Sequence, residues 1–141
     1  MGALRVLIAG GGIAAAEALL ALDELAGERV EVELIAPDPD FVYRPYLVAE
    51  PFSLGPAPRI ELSRLAAEHG ARTTTDSLAS VDPGSHSIST RQGLELDYDA
   101  LLIATGARPV GVVEGALSFG DRADRQAFAA TLSELERAGR R

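Results

Sequence analysis

The chain has 141 residues, 47% of them hydrophobic and only 5% aromatic, enough for one domain with a core of Ala, Leu, Val and Ile. Thirteen basic against 21 acidic residues leave a net charge of −8, which argues against a nucleic-acid backbone as partner. With no cysteine and two histidines, His69 and His86, the chain can form no disulfide, thiolate metal site or redox dithiol, and a histidine-based metal site is disfavoured.

The apolar run Arg5-Val6-Leu7-Ile8-Ala9 stops at Gly10-Gly11-Gly12, and a helical pattern begins at once. Leu4–Ala9 reads as a buried parallel strand and Ile13–Ala26 as a helix stopped by Gly27. Gly10 suits a tight turn, and Gly12 lets the backbone come close to phosphates. Ala15, at the third position of the pattern G-x-G-x-x-G/A, lets helix pack on strand. The N–H groups opening the helix would face an anion with the positive end of the dipole. The same turn is compatible with a connection that binds nothing, with NAD(P) or with FAD. Residues 1–16 share an apolar segment with signal peptides, but three glycines inside it argue against that, and Val6 breaks the myristoylation pattern after Gly2. No apolar run reaches the roughly 18–20 residues that span a bilayer. The expected location is cytoplasmic.

Val30–Ile35 alternates and then turns apolar, a second strand ended by Pro37 and Pro39. Residues 38–59 carry five prolines, Pro39 included, and few regular cues, a long loop of the kind that is functional or covers a ligand. A second helix is expected over 60–69. From Arg72 the pattern has period two, with short strands expected at 72–75, 77–81, 86–90 and 95–98, joined by Asp82-Pro83-Gly84-Ser85 and Arg91-Gln92-Gly93 turns. Residues 100–105 read as another buried strand ending in Gly106. A final helix, capped by Asp121 or Asp124, would carry an apolar stripe of Phe128, Leu132 and Leu135, with Arg137, Arg140 and Arg141 toward its negative end. His69 falls at a helix end and His86 in a hairpin strand.

The glycine turn, the loop Phe41-Val42-Tyr43-Arg44-Pro45-Tyr46-Leu47 and the run Asp97-Tyr98-Asp99-Ala100-Leu101-Leu102-Ile103-Ala104-Thr105-Gly106-Ala107-Arg108-Pro109 occur together and in order. In this combination residues 4–110 resemble the N-terminal FAD-binding part of pyridine nucleotide-disulfide oxidoreductase-like flavoproteins, in the branch with sulfide:quinone reductases and type II NADH dehydrogenases. The resemblance implies a three-layer α/β Rossmann-like domain, with a parallel sheet and a small antiparallel meander over residues 77–98. It implies an FAD-binding lobe over 1–110 and a linker with a C-terminal helix over 111–141, leading toward an NAD(P)H domain. Gly10, Gly12, Ala14 and Ala15 would line the FAD pyrophosphate. Ala36, Pro37 and Asp38 would face the adenosine ribose. Arg44 and Pro45 would lie over the cofactor, Leu78 and Ala79 would offer backbone groups to the adenine, and Thr105 and Gly106 would pass close to the dinucleotide.

Two departures stand out. The family's ribose-binding Glu falls at Ala36, which cannot accept those bonds; Asp38 is either its substitute or a turn residue. The chain also stops near where an NAD(P)H domain would begin, and Gly120-Asp121 reads as a turn and helix cap rather than the family's returning Gly-Asp motif. The expectation is therefore a fragment, a truncation or a natural half-protein, inactive alone and without a catalytic residue of its own. The parent would pass electrons from NAD(P)H or sulfide through flavin to an acceptor such as a quinone, with room for peripheral membrane contact and homo-oligomers. The alternative is a non-catalytic dinucleotide-binding or assembly module that acts with a partner chain. Arg44 reads equally as a loop arginine, Thr105 as a strand cap, and Tyr43, Tyr46 and Phe52 as residues that pack the loop or stack on flavin.

Overall fold

The computed structural model describes residues 2–107, 113, 115–116 and 122–139, and the chain divides into two compact units. The first comprises Met1–Val42 and Arg59–Gly106, and the second Tyr43–Pro58 and Ala107–Arg141.

The first unit is built on four parallel strands, β1 (Leu4–Ala9), β2 (Val30–Ala36), β5 (Arg72–Thr75) and β9 (Ala100–Ile103), in the order β5-β2-β1-β9. Strand β1 is central and covered on both faces, which is why it reads as a continuous apolar run rather than an alternating one. Val6 and Ile8 point to one face with Val32, Leu34 and Ala36 of β2, and there they meet helices α1 (Ile13–Ala26) and α2 (Leu62–Glu68) through Ala15, Leu19, Leu62 and Ala66. Leu7 and Ile35 point to the other face. There they meet the antiparallel meander of β6 (Leu78–Asp82), β7 (Ser87–Thr90) and β8 (Glu95–Asp97), centred on Ile88, which is 2% exposed. Helices, parallel sheet and meander make the three layers.

Local signals set most boundaries. Helix α1 ends at Gly27 (φ +52), whose N–H returns to the Asp23 and Leu22 carbonyls, as expected of a glycine stop. The first meander turn is closed by Asp82, whose Oδ1 accepts the Gly84 N–H at 2.8 Å and the Ser85 N–H at 3.3 Å. The Ser85 hydroxyl and then these two N–H groups hold the Asp82 carboxyl below the usual carboxylate range. At the start of β9, Asp99 clamps the register against β1: its Oδ2 accepts the Arg5 N–H at 2.7 Å and its own N–H donates to the Arg5 carbonyl at 2.9 Å.

Several expectations need correction. Residues 38–59 are not one irregular loop: β3 (Asp40–Val42) pairs antiparallel with β4 (Arg59–Glu61), and Arg44–Phe52 forms a run of 3-10 helix. Because Arg59–Glu61 is used in that pairing, α2 starts at Leu62 rather than at residue 60. Strand β9 ends at Ile103, with Ala104, Thr105 and Gly106 beyond it. His86 lies before β7 at φ +54 and stacks on Tyr98, with ring centroids 5.7 Å apart. His69, past the end of α2, bonds through Nδ1 to Asp23 of α1 at 2.7 Å, which ties the two helices together.

In the second unit, the 3-10 segment and α3 (Arg122–Gly139) pack through Phe52 and Phe128, edge to face at 6.0 Å. Glu50 organises this contact, accepting the Ala57 N–H at 3.1 Å and pairing with Arg125 Nε at 3.3 Å. Asp124 sits inside the first turn of α3 and is not its cap. Phe128 and Leu132 are half-buried, but Leu135 is 63% exposed and so does not complete the expected stripe. Asp121, Gly120, Arg108, Arg140 and Arg141 lie outside the described residues.

At Gly10 (φ +139) an added Cβ would stand 2.1 Å from the Ala104 carbonyl oxygen, inside the van der Waals envelope and on a backbone that side chains rarely adopt. Gly10→Ala is therefore expected to lower the unfolding free energy by about 3 kcal/mol or more, measured by urea denaturation.

Candidate functional site

The strand order places β2 and β5 on one side of β1 and β9 on the other, so the order reverses between β1 and β9. Beyond the carboxyl ends of these two strands is where open α/β sheets bind their ligands. Gly10 donates its N–H to the Ile35 carbonyl at 2.8 Å, and Ala104 donates to the Ala9 carbonyl at 2.7 Å. The glycine turn and the Ala104-Thr105-Gly106 segment, nearly a hundred residues apart in sequence, thus meet at the switch point. Thr105 and Gly106 are exposed there, and Gly106 has φ +71.

Gly12 is the N-cap of α1 in ordinary extended backbone, and its carbonyl accepts the Ala15 and Ala16 N–H groups, both at 3.1 Å. The N–H groups of Ile13 and Ala14 come before these first intrahelical bonds, so the helix supplies them no carbonyl. Both residues are exposed, whereas Ala15 is fully buried against the sheet. An added Cβ at Gly12 would meet nothing within 4 Å. The first turn of α1 carries no acidic side chain, so the local field at this helix start is that of the dipole despite the negative net charge.

The adjoining end of β2 is different in character. Ala36 is buried and packed close to Gly11, while Pro37 and Asp38 are exposed. The turn is pinned by the Leu62 N–H, which donates to the Pro39 carbonyl at 2.8 Å. Asp38 sits in the bend between β2 and β3, as a turn residue would, and its carboxylate makes no hydrogen bond or ion pair among the described residues. With Ala36, Ser63 and Thr73 to Thr75 it lines a cleft of about 170 Å³. Leu78 and Ala79 open β6, where the register shifts: Leu78 faces Thr90 and Ser80 faces Ser89, leaving Ala79 as a bulge. Arg44 and Pro45 belong to the second unit and begin its 3-10 segment, exposed and with no ion pair to Arg44 among the described residues. Tyr43 and Tyr46 pack against each other with ring centroids 5.6 Å apart and planes tilted by 48°, both more than a third exposed.

Asp76 was not legible as a site residue. It is buried, with its N–H on the Ala36 carbonyl at 3.0 Å and its carboxylate accepting the Ser77 N–H at 2.6 Å and the Gln92 N–H at 3.3 Å. The neighbouring Thr90 hydroxyl, more than any other group, holds its pKa below the ordinary 3.8, with the Ser77 and Gln92 N–H groups adding to it. Among the described residues, no group of three or more His, Cys, Asp or Glu side chains could hold a metal ion, and no helix is long and apolar enough to cross a membrane.

The pyridine nucleotide-disulphide oxidoreductase family matches residues 4–138. The chain belongs to that family. Solved structures carry the same fold at low identity. The sulfide:quinone oxidoreductase of the hyperthermophilic bacterium Aquifex aeolicus superposes with a TM-score of 0.83 at 23% identity, over 95% of this chain and 32% of that one. NDH2 from Plasmodium falciparum, in complex with NADH, gives 0.76 at 20% identity, over 96% of this chain and 30% of that one. Putidaredoxin reductase in its covalent complex with putidaredoxin gives 0.73 at 19%, over 92% and 34%. The chain thus spans about a third of the length of each of these family-fold structures. No curated protein matches in sequence.

Because the native pKa of Asp76 is depressed, its stabilisation is fully present above the unfolded value near 3.8 and is lost as pH falls through the lower native value. Asp76→Asn removes that charge, so the acid limb of the stability curve below about pH 4 is expected to flatten, as read by thermal unfolding across pH 2–7.

Proposed function

We propose that this chain is the FAD-binding lobe of an FAD-dependent oxidoreductase. The observation that supports this reading most is the backbone cradle at Gly12. The open direction of its missing Cβ and the N–H groups of Ile13 and Ala14 lie together at the switch point of a parallel sheet. A dianionic pyrophosphate fits such a cradle, since it needs donors and a positive dipole end and tolerates no nearby carboxylate. When bound, FAD supplies the electron-carrying isoalloxazine ring.

The chain's own work is to bind and orient. Gly10, Gly12, Ala14 and Ala15 form the pyrophosphate turn, with Ala15 seating the helix and Ala14 exposing its N–H. At the ribose, Ala36 has no acceptor to offer and Pro37 fixes the turn, so the hydroxyl groups are assigned to Asp38, which shares its cleft with Glu61. The bulged backbone at Leu78 and Ala79 meets the adenine, and Thr105 and Gly106 run beside the dinucleotide. Arg44 and Pro45 serve the stretch between pyrophosphate and flavin. FAD is favoured over NAD(P) because the Ala104-Thr105-Gly106 segment accompanies the glycine turn; the fingerprint itself suits both. NAD(P)H or sulfide as donor and a quinone as acceptor belong to this proposal, supported by what the sulfide:quinone oxidoreductase and the NADH-bound NDH2 are called. No residue here is assigned a catalytic role, and the chain alone is expected to be inactive.

Gly12 separates binding from folding. The Cβ that Gly12→Val adds has no neighbouring protein atom within 4 Å, and the change is expected to alter stability by no more than about 1 kcal/mol, yet it fills the pyrophosphate approach. FAD affinity, read by flavin fluorescence with NADH titrated in parallel, is expected to fall about a hundredfold or more, the loss of roughly 3 kcal/mol. Tight NADH binding without FAD binding would replace the cofactor assignment.

A further inference from the structure

Asp76 and Thr90 are the buried polar side chains among the described residues, and the Thr90 hydroxyl favours the ionised Asp76 carboxylate. Asp76 joins three stretches of backbone: its N–H holds the Ala36 carbonyl at the end of β2, and its carboxylate holds the Ser77 N–H just beyond β5. The same carboxylate holds the Gln92 N–H in the β7–β8 turn. The knot is closed from both sides. Gln92 Nε2 reaches the Thr75 carbonyl at 3.3 Å, the Arg91 N–H donates to the Ser77 carbonyl at 2.9 Å, and Thr90 Oγ1 accepts the Leu94 N–H at 3.0 Å. A buried carboxylate with several donors is a stiffer joint than a solvated turn residue, because each bond is charge-assisted and in a low-dielectric setting. Two residues further on, the Ala79 bulge leaves the ladder and is exposed.

We infer that Asp76 is the positioning residue for the adenosine half of the bound dinucleotide. It touches no ligand; it fixes the separation between the Ala36 end of β2 and the Ser77-Leu78-Ala79 backbone. The inference rests on the FAD-lobe reading, and it locates adenine recognition in backbone geometry rather than in a side chain.

The test compares ADP, which carries adenosine and pyrophosphate, with inorganic pyrophosphate, which engages only the glycine turn, by NMR titration of amide resonances in the intact chain. Asp76→Asn is expected to weaken ADP about tenfold while leaving pyrophosphate within about twofold, the signature of about one lost charge-assisted constraint. Thr90→Val, which removes the hydroxyl that accepts the Leu94 N–H and favours the ionised carboxylate, should shift ADP in the same direction by less, and it decides the matter if Asp76→Asn does not fold. Equal losses for both ligands, or unchanged ADP affinity in a folded variant, overturn the positioning role and leave the FAD reading standing. A wild-type chain that binds neither ligand overturns the FAD reading, and this inference with it.

Discussion

Between Gly10 and the Ala104 carbonyl there is no room for a side chain, and the geometry of the site depends on that approach. The end of β1 must turn away from β9 at once, and with positive φ it can do so only toward α1. The turn then delivers the opening N–H groups of the helix to the switch point. The sheet order and the packing of Ala15 against the sheet are consequences on either side of the same junction. A negative net charge does not spoil an anion site built this way, because a helix dipole acts within about one turn and the first turn of α1 holds no acid.

Two carboxylates of the first unit serve backbone alignment. Asp99 fixes β9 against β1, and Asp76 fixes the meander against β2 and β5. The second unit uses the same device, with Glu50 joining the Ala57 N–H to Arg125. In each case a carboxylate replaces a stretch of ladder that the chain's irregular course cannot supply. Such joints are satisfied at every buried side-chain polar atom among the described residues, so they hold geometry without leaving an unpaired group.

The parts legible in the sequence are those with strong local signals. Leu4–Ala9 and Ile13–Ala26 match the structure residue for residue because an apolar run, a glycine turn and a glycine stop bracket them. The meander was readable from its period of two and from the Asp82 and Gly93 turns. The 38–59 segment was not, since its prolines erase any period and its order comes from Asp40–Val42 pairing with Arg59–Glu61 some twenty residues away. That same pairing shortened α2, a tertiary contact overriding a helical pattern. Asp76 gave no signal because an Asp before Ser reads as a turn, while one of its donors, the Gln92 N–H, comes from sixteen residues away. Leu135 had helical spacing without a surface to meet.

The bond from the Arg5 N–H to Asp99 spans 94 residues. During synthesis, therefore, β1 is made some ninety residues before its second neighbour, β9. In that interval β1 has only β2 beside it, and its β9-side edge, with the apolar Val6-Leu7-Ile8, stays open. Contacts of such sequence separation slow folding through loop-closure entropy, and an uncovered apolar edge invites pairing with another nascent chain. The early pairing of β1 with β2 through the α1 crossover shortens the danger but cannot end it. The sheet gains its fourth strand only when β9 arrives and Asp99 locks its register against Arg5, so the last long-range pairing of the sheet is also the one that fixes the switch point.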